Sequence, residues 1–167
     1  MYFFTADEYY GHSDIIQTCR RPFKSVEEMD KELISNHNTL VKYGDTVIHG
    51  GDCCRLRTFA EVNERYISKL NGNHIFVRGD HDLCLGNDIH EMKRGGQLII
   101  ICHYAMRVWQ GSHQNSWQLY GHSYGRLEPV GKQYDIGVDS NYYFPVSIKD
   151  LRAIMAQRPD NPDYIAQ

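Results

Sequence analysis

Short apolar runs recur along the chain, and each ends in a cluster of Asp, Gly, His or Asn. Runs of about four or five apolar residues with polar ends are typical of buried β-strands. The pattern therefore predicts strands at Tyr2–Thr5, Thr46–His49, His74–Val77, Leu98–Cys102 and Gln118–Tyr120.

The segments between the early strands have the spacing of amphipathic helices. Capping-box sequences at Ser25 to Glu28, Thr58 to Glu61 and Ser147 to Asp150 predict three helix starts. The second of these helices is expected to end at Asn71-Gly72, and another helix is expected near Ser13. Residues 158–167 are predicted to be an irregular tail.

Strands alternate with helices in the first half of the chain, and strands dominate from about residue 98 to 146. This order predicts an α/β fold whose later half is a more antiparallel sheet. A length of 167 residues, 41% of them hydrophobic, fits one domain spanning residues 1–167.

The charge balance restricts the classes of partner. Eighteen Lys and Arg against 21 Asp and Glu give a net charge of -3, which argues against long duplex nucleic acid and anionic membrane surfaces as partners. The apolar runs are far shorter than the roughly 20 residues of a membrane-spanning helix. The first ten residues lack the features of a signal peptide, so we expect a cytoplasmic protein. The sequence carries no signal for an oligomeric state.

The five cysteines are predicted to be reduced thiols, since their number is odd and their spacing irregular. The adjacent Cys53 and Cys54 could be metal ligands. Packing as small buried residues is the favoured interpretation, because neighbouring side chains on a strand exit point to opposite sides.

Potential metal ligands concentrate where the predicted strands end. Carboxylates and imidazoles gathered from several strand ends are what a metal site on an α/β scaffold requires. Each residue alone has a structural explanation, such as a turn or a solvated loop, so the prediction depends on their order. The residues are Asp7, His12, His49, Asp52, Asp80, His81, Asp82, His103 and His122.

Five ordered motifs carry a family resemblance over about residues 1–150. They are Asp7-Glu8-Tyr9, Gly51-Asp52, Gly79-Asp80-His81-Asp82, a lone His103, and Gly121-His122-Ser123-Tyr124. This order resembles the calcineurin-like metallophosphoesterases, whose pattern runs D-x-H, G-D, G-N-H-D/E, a lone His and G-H-x-H. Stretches such as TADEYYGHSDII are similar to the small bacterial and phage-type phosphoesterase branch of that family.

The resemblance implies a two-sheet β-sandwich flanked by helices, and a hydrolase of phosphoesters that uses metal-activated hydroxide. It favours a phosphodiester substrate, such as a nucleotide, a cyclic nucleotide or a nucleic-acid end. One or two divalent ions (Mn, Fe, Ni or Zn) would be the cofactor. His81 would be the acid or transition-state donor, with Asp82 fixing the tautomer of its ring. The implied metal ligands are Asp7, Asp52, Asp80, His103 and His122.

Three ligand positions depart from the family pattern: Tyr9 and Tyr124 replace histidines, and Asp80 replaces asparagine. Three interpretations remain open. The phenols could ligate Fe(III), they could fill the space of one lost metal beside one working metal, or the chain could be a non-catalytic phosphate- or nucleotide-binding module. His12 could serve as a replacement ligand, bind a phosphate oxygen or cap a helix.

Overall fold

The computed structural model describes residues 1–163 and contains two four-stranded sheets flanked by helices. The predicted α/β fold class is therefore confirmed. The strands are β1 (Tyr2–Thr5), β2 (Thr46–His49), β3 (Asn73–Phe76), β4 (Ile89–Arg94), β5 (Gln97–Cys102), β6 (Trp117–Tyr120), β7 (Gln133–Asp135) and β8 (Val146–Ser147). The helices are α1 (Asp14–Thr18), α2 (Val26–Leu40), α3 (Phe59–Arg65) and α4 (Ile148–Met155), with 3-10 turns at Ile67–Lys69 and Val138–Ser140.

The first sheet has the order β3-β2-β1-β8, in which β1, β2 and β3 are parallel and β8 is antiparallel to β1. Parallel strands place their carboxyl ends at one edge of the sheet, where ligands of α/β proteins commonly bind. The loops after β1, β2 and β3 therefore meet.

The second sheet has the order β4-β5-β6-β7 and corrects one expectation. Only β4 and β5 are antiparallel, whereas β5, β6 and β7 are parallel, so the later half is not a mainly antiparallel sheet. Strand β4 contains no apolar run, so the sequence pattern does not predict it. The strand lies at the sheet edge, where its outer residues, including Glu91 and Lys93, are exposed.

The predicted helix starts are confirmed, with differences in detail. Thr58 accepts from the Glu61 amide, and the Glu61 carboxylate returns to the Thr58 amide, which completes a capping box. Ser25 accepts from the Glu28 amide, but the Glu28 carboxylate binds the amide of Lys24 instead. Helix α3 ends at Arg65 and continues as a 3-10 turn, so it is shorter than predicted.

The apolar core lies between the two sheets, where Phe4, Ile48, Ile99 and Leu119 are fully buried. A second cluster on the outer face of the first sheet, which includes Met29 of α2, packs beneath α1, α2 and α3. Burying both faces of the first sheet fixes the strand ends that carry the candidate site.

No helix within residues 1–163 is long and apolar enough to cross a membrane. The predicted irregular tail is described only over residues 158–163, which contain no helix or strand, and the rest lies outside the described residues. The assignment of residues 1–167 to one domain stays a prediction for the same reason.

Candidate metal centre

The loops after β1, β2, β5 and β6 bring Asp7, Asp52, His103 and His122 to one edge of the sandwich. Backbone hydrogen bonds join the first two loops, from the Asp7 amide to the Gly51 carbonyl at 2.9 Å and from the Tyr9 amide to the Asp52 carbonyl at 3.0 Å. These loops continue the strand pairing of β1 and β2 beyond the sheet.

Left-handed backbone conformations concentrate at this edge. Asp7, Tyr9, Asp52, His122 and Tyr124 have φ angles of 59°, 56°, 57°, 65° and 50°. Residues other than glycine rarely adopt such angles, and they cluster at functional sites where the surrounding structure compensates their cost. The strain therefore marks the same loops as the sequence motifs.

Three predicted ligands form one group. Asp52, His103 and His122 each offer a ligand atom, and these atoms lie within 4.8 Å of one another. Asp52 and His103 are fully buried, whereas His122 is exposed, so the group opens toward solvent on one side. Two imidazoles and a carboxylate with an open side are a typical ligand set for a catalytic transition-metal ion.

The carboxylate of Asp52 is held from several directions. Its Oδ1 accepts from the His81 amide at 2.8 Å, and its Oδ2 accepts from the Tyr9 hydroxyl at 2.6 Å. Burial alone would raise the pKa of Asp52, but the contacts with His103, Tyr9 and the His81 amide outweigh it and lower the pKa to about 2. Asp52 is therefore an anion at neutral pH.

The surroundings of His103 show whether a cation fits among these three residues. Its Nδ1 lies 2.9 Å from the Gly50 carbonyl, which holds a proton on Nδ1 and directs Nε2 into the site. That Nε2 is buried without a hydrogen bond and lies 3.3 Å from Oδ2 of Asp52. Donors about 2.0–2.2 Å from one tetrahedral ion are separated by roughly 3.3–3.6 Å. The pair therefore fits a shared metal ion.

Without a metal, the same pair interacts as an ion pair. Burial lowers the pKa of His103, but the opposing effects of Asp52 and Asp7 dominate and raise it to about 9. A buried cationic group therefore faces Asp52, and a divalent ion would take the place of that proton.

Asp80 lies at the edge of this group, with Oδ2 at 3.4 Å from Nδ1 of His122. The Tyr104 hydroxyl donates to its other carboxylate oxygen. Asp80 is half exposed and contacts the trio through His122.

Asp7 is fully buried and faces the backbone instead, since its carboxylate accepts from the His122 amide at 2.9 Å. Burial raises the pKa of Asp7 well above its usual value. Asp7 thus lies beside the trio without belonging to it.

The two tyrosines lie next to Asp52, and Tyr9 contacts the same carboxylate oxygen that faces His103. Their hydroxyl oxygens are 2.7 Å apart, and because Tyr9 gives its proton to Asp52, Tyr124 donates to Tyr9. Burial raises the pKa of both phenols, that of Tyr124 to about 12. In the absence of metal both are therefore protonated at neutral pH.

Asp82 has a different position from the one predicted. Its carboxylate accepts from the backbone amides of Asp52, Cys53, Cys54 and Gly79, at 2.7 to 3.3 Å. No described hydrogen bond joins it to the His81 ring. The predicted role in fixing the His81 tautomer is thus replaced by a role in holding the Asp52 loop.

His81 and His12 lie on the far side of Tyr9. The ring centroid of His81 is 5.3 Å from that of Tyr9 and 6.1 Å from that of His12, and His12 stacks on Tyr9 at 5.5 Å. Nε2 of His12 is 3.4 Å from a guanidinium nitrogen of Arg55. Nε2 of His12 also lies 3.6 Å from the Asp14 carboxylate, so His12 has a basic and an acidic neighbour and lies outside the trio of Asp52, His103 and His122.

Arg21 is a site residue that the sequence analysis missed. Its buried guanidinium donates to the carbonyls of Asp7 at 2.6 Å and Glu8 at 3.0 Å, and pairs with Asp139 at 2.7 Å. It thereby fixes the loop after β1. The dipeptide Arg20-Arg21 gives no signal of which arginine is buried.

The fold and site together define an α/β two-sheet protein with a candidate metal centre. The uncharacterized protein MJ1445 of Methanocaldococcus jannaschii is 30% identical over 150 residues, covering 86% of this chain and 84% of that protein. The chain therefore belongs to the same family as MJ1445. No protein-family model matches the sequence.

A solved structure shares the fold of this chain. The protein of unknown function AQ665 from Aquifex aeolicus has a TM-score of 0.69 and 21% identity, covering 92% of this chain and 98% of that one. A predicted phosphoesterase of Streptococcus pneumoniae TIGR4 has a TM-score of 0.41 and 18% identity, covering 74% of this chain and 62% of that one. Similarity at the second level establishes neither the fold nor the activity of this chain.

Proposed function

We propose that the protein is a metal-dependent phosphoester hydrolase of the calcineurin-like type, with a preference for phosphodiesters. The observation that carries this proposal is the pair of Asp52 and His103, whose facing atoms have the separation of two ligands and leave Nε2 of His103 without a hydrogen bond. His122 would be the third ligand, and Asp80 would move in as the fourth.

A single ion in this centre agrees best with the tyrosines. Tyr9 donates to the same Asp52 oxygen that faces Nε2 of His103, and Tyr124 donates to Tyr9. With one contact of this oxygen taken by the hydroxyl proton, it would serve a single ion. Direct ligation by Tyr9 or Tyr124 to Fe(III) would require loss of these protons.

A bound Mn, Fe, Ni or Zn ion would polarise the phosphoester and lower the pKa of a water molecule. The surrounding residues would bind the substrate and protonate the leaving group. His81 would donate a proton to the leaving oxygen. Arg55 would attract the anionic substrate, and His12, whose Nε2 lies 3.4 Å from its guanidinium beside Tyr9, would offer a hydrogen bond to a phosphate oxygen. The substrate would be a small phosphodiester or a nucleotide.

The test is hydrolysis of bis-p-nitrophenyl phosphate by chelator-treated protein, with Mn²⁺, Ni²⁺, Fe²⁺ or Zn²⁺ added back. We expect activity with at least one ion, and loss of that activity in His103→Ala. His90→Ala, on strand β4 and outside the group of three potential ligands, is the matched control and should retain it. Failure of all four ions in folded protein would exclude the hydrolase.

A non-catalytic phosphate- or nucleotide-binding module is the second candidate. The observation in its favour is the hydrogen bond from Tyr9 to Asp52, which fills one metal position without a metal. Elemental analysis of wild type and His103→Ala, purified without chelators, separates the two. An ion that depends on His103 supports the enzyme, whereas nucleotide binding that is insensitive to EDTA supports the module.

We also propose a cytoplasmic location, because all five cysteines are free thiols and persistent free thiols are typical of reducing compartments.

A further inference from the structure

A second group of potential ligands lies behind the candidate metal centre. Glu8, His49 and Cys53 place a carboxylate oxygen, an imidazole nitrogen and a sulfur within 4.8 Å of one another. All three residues are buried, with exposures of 2%, 0% and 0%. None of them belongs to the trio of Asp52, His103 and His122.

The loops after β1 and β2 carry residues of both groups of potential ligands. Asp7 and Asp52 face the second sheet, where they contact the His122 amide and His103. Their chain neighbours Glu8 and Cys53 make different contacts. Cys53 packs in the apolar cluster beneath the helices, and Glu8 contacts His49 at the end of β2.

Glu8 supplies the observation that points to a ligand. Its Oε1 lies 2.6 Å from Nδ1 of His49, but its Oε2 is buried with no hydrogen-bond partner. The side chain of Glu8 is 3% exposed, so solvent does not satisfy that oxygen. Buried carboxylate oxygens are costly without a partner, and a bound cation would provide one.

A second histidine, His74, contacts the ring nitrogen of His49 that faces away from Glu8. Nε2 of His49 lies 3.0 Å from Nδ1 of His74, so one proton can be shared between the rings. Nδ1 of His49 donates to Glu8 across the 2.6 Å contact when no metal is bound. A bound ion would replace that proton, with the two ligand atoms moving apart and the His49 proton held on Nε2 toward His74. Histidine ligands of metals commonly have such a partner on the opposite nitrogen, which fixes the tautomer and the ring orientation.

We propose that Glu8, His49 and Cys53 form a buried Zn²⁺ site, separate from the candidate metal centre. A thiolate, an imidazole and a carboxylate are the donor types that zinc prefers, and the second oxygen of Glu8 supplies the fourth donor atom. In the bound state the Cys53 thiol has lost its proton to solvent, and His49 stays neutral with its proton on Nε2.

The zinc site would stabilise the loops that carry the candidate metal centre. It would join the loop after β1 to the loop after β2, and these loops hold Asp7 and Asp52 on their opposite side. Because the binding free energy of a structural metal adds to the folding free energy, zinc should stabilise this part of the fold.

Cobalt substitution tests the proposal without reference to activity. Co²⁺ bound to a thiolate gives a sulfur-to-metal charge-transfer band in the near ultraviolet. The candidate centre offers oxygen and nitrogen ligands, so such a band reports the buried site. Metal-free, reduced wild type titrated with Co²⁺ should develop the band to one equivalent, and Zn²⁺ should displace it.

Four variants test the assignment of the band. Cys53→Ser should abolish it, the matched control Cys84→Ser should retain it, and His122→Ala in the other centre should also retain it. Glu8→Gln should weaken Co²⁺ binding by at least about tenfold, which keeps the test decisive if Cys53→Ser does not fold. Absence of the band in folded wild type, its survival in Cys53→Ser, or unchanged Co²⁺ binding in Glu8→Gln would overturn the proposal.

Discussion

The hydroxyl of Tyr9 donates to Oδ2 of Asp52 across 2.6 Å, and Nε2 of His103 lies 3.3 Å from the same oxygen. Oδ2 of Asp52 is therefore shared between a phenol and a potential metal ligand. In the proposed centre, the phenol proton would lie beside a single cation.

Tyr9→Phe should destabilise the metal-free protein by about 1.5–3 kcal/mol, because it removes a hydrogen bond to a buried charged group. The measurement is urea unfolding at neutral pH. Tyr134→Phe is the matched control, since its hydroxyl donates to the neutral Asn141 at 2.8 Å. That change should cost only about 0.5–1.5 kcal/mol. Equal losses in both variants would contradict a charged Asp52 as the partner.

Tyr9→His combined with Tyr124→His should create a second metal position, because two neutral nitrogen donors would then join Asp7 and Asp52. The number of bound ions per chain, measured by elemental analysis, should rise by about one, with a gain in hydrolysis. Tyr43→His combined with Tyr142→His is the control, since both of these tyrosines are fully exposed to solvent. A visible phenolate-to-iron band in wild type, lost in the double variant, would instead make the tyrosines ligands.

His81→Ala should lower turnover by ~10²- to 10⁴-fold and leave the metal content unchanged, because His81 is proposed to transfer a proton and not to bind the ion. Turnover and metal content must be measured on the same preparations. If the metal is lost with the imidazole, His81 is a ligand.

The sequence predicts those strands and site residues that depend on the local pattern of apolar and polar positions. Strands β1, β2 and β5 are apolar runs with polar exits, so their positions and the proposed ligands Asp52 and His103 at two of these exits can be predicted. Strands β4, β7 and β8 cannot, because they are short or lie at edges where polar residues are allowed.

The side-chain pairings are not readable from the sequence. The contact of Tyr9 with Asp52 depends on a left-handed backbone conformation at both residues. A local sequence pattern does not predict this conformation for residues other than glycine. The position of Asp82 depends on where the loop after β2 passes, and this is a tertiary property.

Arg21→Gln should destabilise the protein by about 3–5 kcal/mol, because it leaves the Asp139 carboxylate buried without its partner. The exposed Arg78 lies 3.7 Å from Asp88, and Arg78→Gln is the matched control. That change should cost no more than about 1 kcal/mol. Both are measured by urea unfolding, and a small loss in Arg21→Gln would show that the loop after β1 is held by other contacts.

Stability should fall as the pH is lowered from about 6.5 to about 4, partly because of His37. Burial lowers the pKa of His37 to about 4, whereas an unfolded histidine titrates near 6.5. Between these values the unfolded chain binds the proton and the folded chain does not, so stability is lost as the pH falls. The full difference corresponds to about 3 kcal/mol. His37→Gln can still donate to the Asn71 carbonyl, which His37 contacts at 2.9 Å, but it cannot titrate. Urea unfolding from pH 7 to pH 4 should therefore show a shallower pH dependence in this variant, and an unchanged slope would exclude His37 as the cause.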